Sequence, residues 1–444
     1  MVSGREEPGV NRSADVVVIG AGILGCAVGF ELSKRGHDVI VVDKLPAAGH
    51  GSTSKSSAIV RFQHSTFDGV ALAHESARAW FDWPTYCGVE DELGFADYIR
   101  CGSLTLQSAS RDPSEYRTHF DRVGVRYEEL DVEHLARRFP YLDLGDHGPP
   151  QAPDDSEFDR PAERQLTGAI FTPDAGYVSD PRLATHNLMR AAQHHGCEFL
   201  FSTAVTAVPT SAGRVAGVGL AGGHRIDAPI VVNVAGPHSF VVNRMAGVAD
   251  DMTMTTRALR HEVHHLQAPQ SLDFNAVGTT VADLRNGIYI RPETGNTILV
   301  GGEDPECDPK VWVEDPDVFD RNLSRSVFEA QAFRLAKRIP SLAIPDRAEG
   351  VVDLYDVTDD WIPIYDQSSL PGFYMAVGTS GNQFKNASGV GHLMAELILA
   401  VEAGHDHDTD PVHVEMPFTG LELDLGFYSR HRQTNPDSIE TVLR

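Results

Sequence analysis

Three glycines and an aspartate are the first residues in this chain whose spacing implies chemistry. Gly20, Gly22 and Gly25 form a Gly-x-Gly-x-x-Gly array, and Asp43 stands eighteen residues after Gly25. The first glycine permits a tight turn, the second lets backbone approach a pyrophosphate, and the third lets helix and strand pack closely. Ile23 and Leu24 belong to the same turn, and the helix it opens offers N–H groups to phosphate. An acid at Asp43 suits a ribose with a free 2′-hydroxyl, meaning FAD or NAD and not NADP. A purely structural turn would not require that acid. A second polar stretch, Gly51-Ser52-Thr53-Ser54-Lys55-Ser56-Ser57-Ala58, offers hydroxyls and backbone N–H groups to a phosphate or a ring edge. On composition alone it reads better as a flexible serine-rich loop. His261, His264 and His265 form a third cluster. On a strand, His261 and His265 share one face and His264 takes the other. No carboxylate or cysteine ligand pattern accompanies them, so no metal site is expected there; a pocket histidine and an ordinary surface strand both stay open.

The elements that must position these residues are legible around them. Asp15–Ile19 and Val39–Val42 read as short buried strands flanking a helix from Cys26 to Arg35 that stops at Gly36, one βαβ unit. Val70–Tyr86 reads as a helix, and Asp143–Glu163, rich in Pro, Asp and Gly, as a long exposed loop. Asp180 followed by Pro181 predicts a capped helix running to His195. Strands are expected near 198–201, 205–208, 214–220 and 230–234, long antiparallel strands over 255–300, and an amphipathic helix from Asp317 to Arg338. A strand at 372–378 and a helix from Ala387 to Ala403 close the pattern. α/β pieces thus alternate with antiparallel ones. This predicts an α/β plus antiparallel-sheet fold, with a nucleotide-binding domain assembled from separated segments and interleaved with a second domain. Trp80, Trp83, Trp312 and Trp361 are read as packing residues.

Composition narrows the function. The 444 residues carry a net charge of −26, against binding to phosphate backbones or anionic membranes. No apolar run reaches the length of a membrane span, and residues 1–12 are polar, without the apolar core of a leader. Cys26, Cys87, Cys101, Cys197 and Cys307 are widely spaced, which excludes a disulfide scaffold and fits a reducing cytoplasm. A cytoplasmic, multi-domain enzyme is expected.

Taken together, six stretches resemble the FAD-dependent D-amino acid oxidase superfamily, in the branch of sarcosine oxidase and dimethylglycine dehydrogenase. They are the fingerprint from Asp15, the loop Gly51–Arg61, Asp174–Pro181, Asn233–His238, Gly287–Pro292 with Val300–Gly302, and Gly378–Lys385. The resemblance runs from about Ala14 to Ala403. It implies a Rossmann-like FAD-binding domain (13–101, 167–247, 346–404), interleaved with a substrate domain on an antiparallel sheet with helices (102–166, 248–345). A tail, 405–444, has no assigned role. It implies non-covalent FAD held by Gly20, Gly22, Ile23, Leu24, Gly25, Asp43, Lys44, Gly51, Ser52, Thr53, Ser54, Ser57, Ala58, Val205, Ala235 and Gly236, and by the last motif, Gly381, Asn382, Gln383, Phe384 and Lys385. It implies oxidation of a small secondary or tertiary amine or amino acid, by hydride transfer from the carbon beside nitrogen to the flavin and hydrolysis of the imine. Arg61 and Lys385 would hold the substrate carboxylate and Tyr289 would line the pocket. A 2-hydroxy acid dehydrogenase and a non-catalytic flavoprotein subunit are the alternatives. Oxygen or an electron-transfer acceptor would take the electrons, and the oligomeric state stays open.

The departures from the family pattern are informative. No Arg occurs on Val352–Tyr355, where the glycine oxidase branch carries its anchor. Leu299 stands where monomeric sarcosine oxidase has an oxygen-activating Lys, which predicts slow reaction with oxygen. Asn382 and Gln383 replace the family's His and Gly, and Ala58 replaces an Arg. Lys55 and Asp353 stand where some relatives attach flavin through His or Cys.

Overall fold

Val16–Ile19 and Val39–Val42 are buried at every position, as β-branched runs covered on both faces must be. In the computed structural model, which describes residues 12–110, 114–436 and 438, they are central strands of a six-stranded sheet. Its order is 198–200, 39–42, 16–19, 230–233, 373–377 and 364–367. The first five strands run parallel and the last antiparallel. Helix Ile23–Lys34 lies against helices Pro181–His194 and Ala387–Glu402. Residues 1–11, which carried most of the leader reading, lie outside the described residues.

The second layer is a nine-stranded sheet. Its longest strand, Thr256–Gln267, pairs antiparallel with Thr297–Gly302 and Val311–Val313 along one edge and with Gly350–Thr358 along the other. Alternation along each strand divides the faces. Ile288, Ile290, Ile298 and Val300 pack under helix Arg325–Arg338 through Phe328, Ala332 and Leu335. Tyr289, Leu299, Ala282 and Val263 gather on the opposite side. The sheets are therefore placed so that the opposite face of the large one looks toward the nucleotide-binding layer.

Several expected elements differ, each for a local reason. The helix expected over 70–86 is two helices, Phe67–Phe81 and Trp83–Cys87. Pro84 cannot continue a helix, and Asp82 leaves helical geometry to cap Thr85 N at 3.4 Å. The helix expected from Asp317 begins at Arg325, because Asp315 and Asp320 carboxylates capture the N–H groups of Asp317 (3.0 Å) and Asn322 (2.9 Å) in turns. The strand expected over 214–220 is split at Gly217 (φ +117), where a Cβ would sit 1.9 Å from the Ile226 carbonyl oxygen. Gly350–Thr358 and Gly168–Thr172, grouped in the sequence reading with the nucleotide-binding segments, pair with strands of the large sheet. Trp80, Trp83 and Trp361 are buried; Trp312 is on the surface under the Arg257 guanidinium. The tail forms the hairpin His413–Glu415/Glu422–Asp424, and its buried Arg430 joins Asp366 (3.2 Å) to Asp408 (2.8 Å). No described helix is long and apolar enough to cross a membrane.

Candidate active site

A cavity of about 500 Å³ runs between the two sheets, and the fingerprint forms one end of it. Gly20 (φ +109) makes the turn, and a Cβ there would stand 2.4 Å from the Val234 carbonyl oxygen. A Cβ on Gly25 would stand 1.9 Å from the Gly20 oxygen, so the helix meets the strand end only because the side chain is missing. Gly22, Ile23, Leu24 and Gly25 bring the first turn of the helix into the wall. That end is built for an anion. Asp43 lines the same wall and accepts from Ala21 N (2.7 Å) and Leu45 N (2.8 Å). Its carboxylate thus ties strand to turn and keeps lone pairs for a ribose.

Gly51, Ser52, Thr53, Ser57, Ala58, Val205, Ala235 and Gly236 all line the cavity. Thr53 Oγ1 accepts from Ile23 N at 3.2 Å, which joins the serine-rich loop to the helix start. The loop is therefore a wall, with a short 3₁₀ turn over Ser52–Lys55, and not a free surface segment. Ser54 stands apart from its neighbours: its hydroxyl donates to the Gly51 carbonyl (2.8 Å) and shapes the turn behind the wall. Lys44 lines the rim with its ammonium held by Asp317 and His238.

The other end is made by the last motif and the large sheet. Gly381, Asn382, Gln383, Phe384 and Lys385 all line it. A Cβ on Gly381 (φ +72) would lie 2.4 Å from the Tyr355 ring. Gln383 Oε1 accepts from Tyr365 (2.8 Å) and Asn386 (2.6 Å), so the residue replacing the family's glycine is anchored from behind. Phe384 stacks on Trp80, whose indole N–H donates to the Lys385 carbonyl at 2.7 Å.

Arg61 and Lys385 are both buried in this wall. Burial lowers the Arg61 guanidinium to about 10, against the opposing pull of Glu303. Burial, then the charge of Arg61, holds Lys385 well below the usual lysine range. Its ammonium nitrogen donates to the Asn382 carbonyl. Two cations in one dry wall, with Glu303 as the nearby acid, leave a place where an incoming carboxylate relieves repulsion. Tyr289 lines the cavity with its hydroxyl 2.9 Å from Ser57 Oγ, and burial pushes its phenol up. Gly301 makes room for it, since a Cβ there would stand 2.3 Å from that ring.

The sequence reading missed wall residues that only the fold delivers. Tyr355, Thr203, Met245, Phe319 and Arg321 come from four separate segments, and none carries a motif. The histidine cluster divides: His261 lines the cavity, whereas His264 is buried against Gln331 (2.8 Å) under helix 325–338. His265, half-buried, is pushed down by burial and lies outside the wall. Leu299 is buried in the sheet beside Leu259 and Tyr289, beneath the wall and not in it.

A family model described as FAD-dependent oxidoreductase (DAO) matches residues 15–397. The chain belongs to this family. Glycine oxidase of Geobacillus kaustophilus is 23% identical to the oxidoreductase over 401 residues, covering 88% of this chain and 94% of that one. Human mitochondrial sarcosine dehydrogenase is 25% identical over 404 residues, covering 87% of this chain but only 40% of the relative. Among solved structures, L-proline dehydrogenase from P. horikoshii superposes with a TM-score of 0.75 at 21% identity, covering 95% of this chain and 98% of that one, and shares the fold.

The family is FAD-dependent, and the glycine cradle, Asp43 and a single cavity lined by both the fingerprint and the last motif fit that cofactor. Lys55 and Asp353 both reach the wall, and neither offers the imidazole or thiol that would bond a flavin. Acid precipitation of the oxidoreductase should therefore release all its yellow colour into the supernatant; colour retained in the pellet would show a covalent link.

Proposed function

We propose that the oxidoreductase oxidises a small amino acid with a secondary or tertiary amine, at the carbon beside nitrogen. One observation carries this reading: Arg61 and Lys385, two buried cations, share the wall of the cavity whose far end is shaped for a dinucleotide. Bound FAD would supply the two-electron acceptor; the protein supplies position and charge. The Arg61 guanidinium offers a planar fork to a carboxylate and Lys385 adds a point charge. Held from that end, the substrate would have its α-carbon fixed in direction, which is worth more to rate than the contact itself. Tyr289, Tyr355 and Phe384 add apolar surface that excludes water. The names of the relatives, glycine oxidase and sarcosine dehydrogenase among them, support an amino acid.

The test is anaerobic reduction of the bound flavin by a panel of N-methyl amino acids, D-amino acids and 2-hydroxy acids. Bleaching by the first group, with an aldehyde or amine released, is expected. Bleaching by hydroxy acids alone would transfer the reading to a hydroxy acid dehydrogenase. No bleaching by any member would leave a flavoprotein subunit without its own substrate.

Reoxidation is expected to be slow in air and faster with an artificial acceptor. The motivation is Leu299, an apolar residue beneath the wall where a related oxidase has lysine. Stopped-flow mixing of the reduced protein with oxygen checks it, and a rate matching good flavin oxidases would show that another cation serves.

A further inference from the structure

We propose that His261, oriented by Asp304, is the base that takes the proton from the substrate's ammonium nitrogen. The inference rests on the amino-acid reading above and deepens it. An amino acid near neutral pH carries a protonated amine. That nitrogen has no lone pair to push, so the neighbouring carbon cannot lose its hydrogen with the bonding electrons until a proton has left. A cavity that uses this abundant protonated form, and not only the scarce free base, needs a proton acceptor.

Most polar groups of the wall are unsuited. Arg61 is a donor only, and Lys385 Nζ is held at the Asn382 carbonyl beside Arg61, at the carboxylate end of the wall and not at the amine. Burial pushes the phenols of Tyr289 and Tyr355 up, so both stay neutral and weakly basic. Burial raises the Asp353 carboxyl, but it already accepts from Leu354 N at 2.8 Å and faces the charges of Arg321, Lys55 and His238, which pull it back down.

His261 differs in three ways. It lines the cavity from the middle of strand Thr256–Gln267, on the face opposite the His264 contact with helix 325–338. Its Nε2 lies 3.0 Å from Asp304 Oδ1, with each side chain only 11% exposed. Its ring stacks on Tyr355 at 4.0 Å and 17°, which fixes the plane of the imidazole. With a carboxylate at Nε2, the ring proton sits there, and Nδ1 carries the lone pair. Asp304 is held for this contact against local preference: it adopts φ +51 without being glycine, and its Oδ2 is buried with no hydrogen-bond partner. An acceptor kept dry beside an imidazole stabilises the imidazolium that proton uptake creates.

The step balances simply. The substrate N–H bond breaks and its electron pair stays on nitrogen; an N–H bond forms at His261 Nδ1, and Asp304 remains a carboxylate. Asp304 acts through His261 and is a positioning residue. The titratable groups around the ring are Asp304 on the loop after 297–302, Tyr355 and Asp353 on 350–358, Tyr289 on 288–293 and Glu303.

The experiment is anaerobic stopped-flow flavin reduction by the N-methyl amino acid that wild type accepts best, from neutral to alkaline pH. H261Q should be slower by roughly 100-fold or more at neutral pH. Its rate should climb roughly tenfold per pH unit, following the unprotonated fraction of the substrate, where the wild-type profile is flatter. D304N should show a smaller loss with the same steepened profile and little change in KM. Flavin content reports folding, and H261N replaces H261Q should the latter come out empty. Wild-type profiles in both His261 variants and in D304N would overturn the base assignment alone. A wild type reduced by no amine would overturn the amino-acid reading and this inference with it.

Discussion

Arg61→Ala should raise KM for a carboxylate substrate by roughly 10- to 100-fold, the worth of a charge-assisted hydrogen bond of about 1.5–3 kcal/mol. kcat should fall as well, because the substrate then loses its direction over the flavin. Arg61→Lys should recover little of this, since the planar fork is what matches a carboxylate. Lys385→Met should also weaken binding, with a different pH signature. Burial and Arg61 hold Lys385 well below its usual range in the free enzyme. A bound carboxylate favours the ammonium form and moves the group back up, so in the pH range where Lys385 of the free enzyme is neutral, binding takes up a proton. Apparent affinity must then fall as pH rises through the Lys385 titration in the complex. In the Lys385→Met variant that slope should vanish. The decisive comparison is the preference for carboxylate over neutral amines, measured by flavin reduction in wild type and variants. If that preference survived both substitutions, the two residues would be structural charges and the proposed function would lose its support.

Gly25→Ala should empty the cofactor site more completely than any other single methyl group added to the fingerprint helix. Its Cβ would stand 1.9 Å from the Gly20 carbonyl oxygen, a rigid backbone atom that cannot step aside without opening the turn. Overpacking of this kind costs about 1–3 kcal/mol even where neighbours can relax. Gly22→Ala should be milder, since its Cβ would meet only Thr53 Oγ1 at 3.2 Å, the end of a side chain. The order expected in purified flavin content is wild type, then Gly22→Ala, then Gly25→Ala. Thermal unfolding of the flavin-free proteins separates loss of cofactor from loss of fold. Equal flavin content in wild type and Gly25→Ala would show that helix and strand do not meet as closely as the structure has them.

The sequence by itself determined the parts whose signals are local. Strands 16–19 and 39–42 could be read because covered parallel strands need unbroken β-branched runs. The glycines of the fingerprint could be read because a residue without Cβ is demanded there by geometry, and Asp180 with Pro181 because helix starts have their own chemistry. Helix 325–338 was misplaced at its start because periodicity does not show that Asp315 and Asp320 have already captured the preceding backbone. What only the tertiary structure decided is which residues meet. Strand 350–358 joins the large sheet by pairing with 256–267, a contact of high sequence separation that no window contains. That pairing brings Tyr355 against His261, and the turn after 302 brings Asp304 to the same ring. Strand alternation already split the histidine triplet in one dimension; the helix packed on one face then decided that His264 goes to the core and His261 to the cavity. Likewise Ser54 and Ser57 are equivalent in a serine-rich loop until a 3₁₀ turn directs one hydroxyl to its own backbone and the other to Tyr289. Local propensity depends on neighbours in sequence, whereas a site depends on side-chain direction across distant strands, and packing alone sets that.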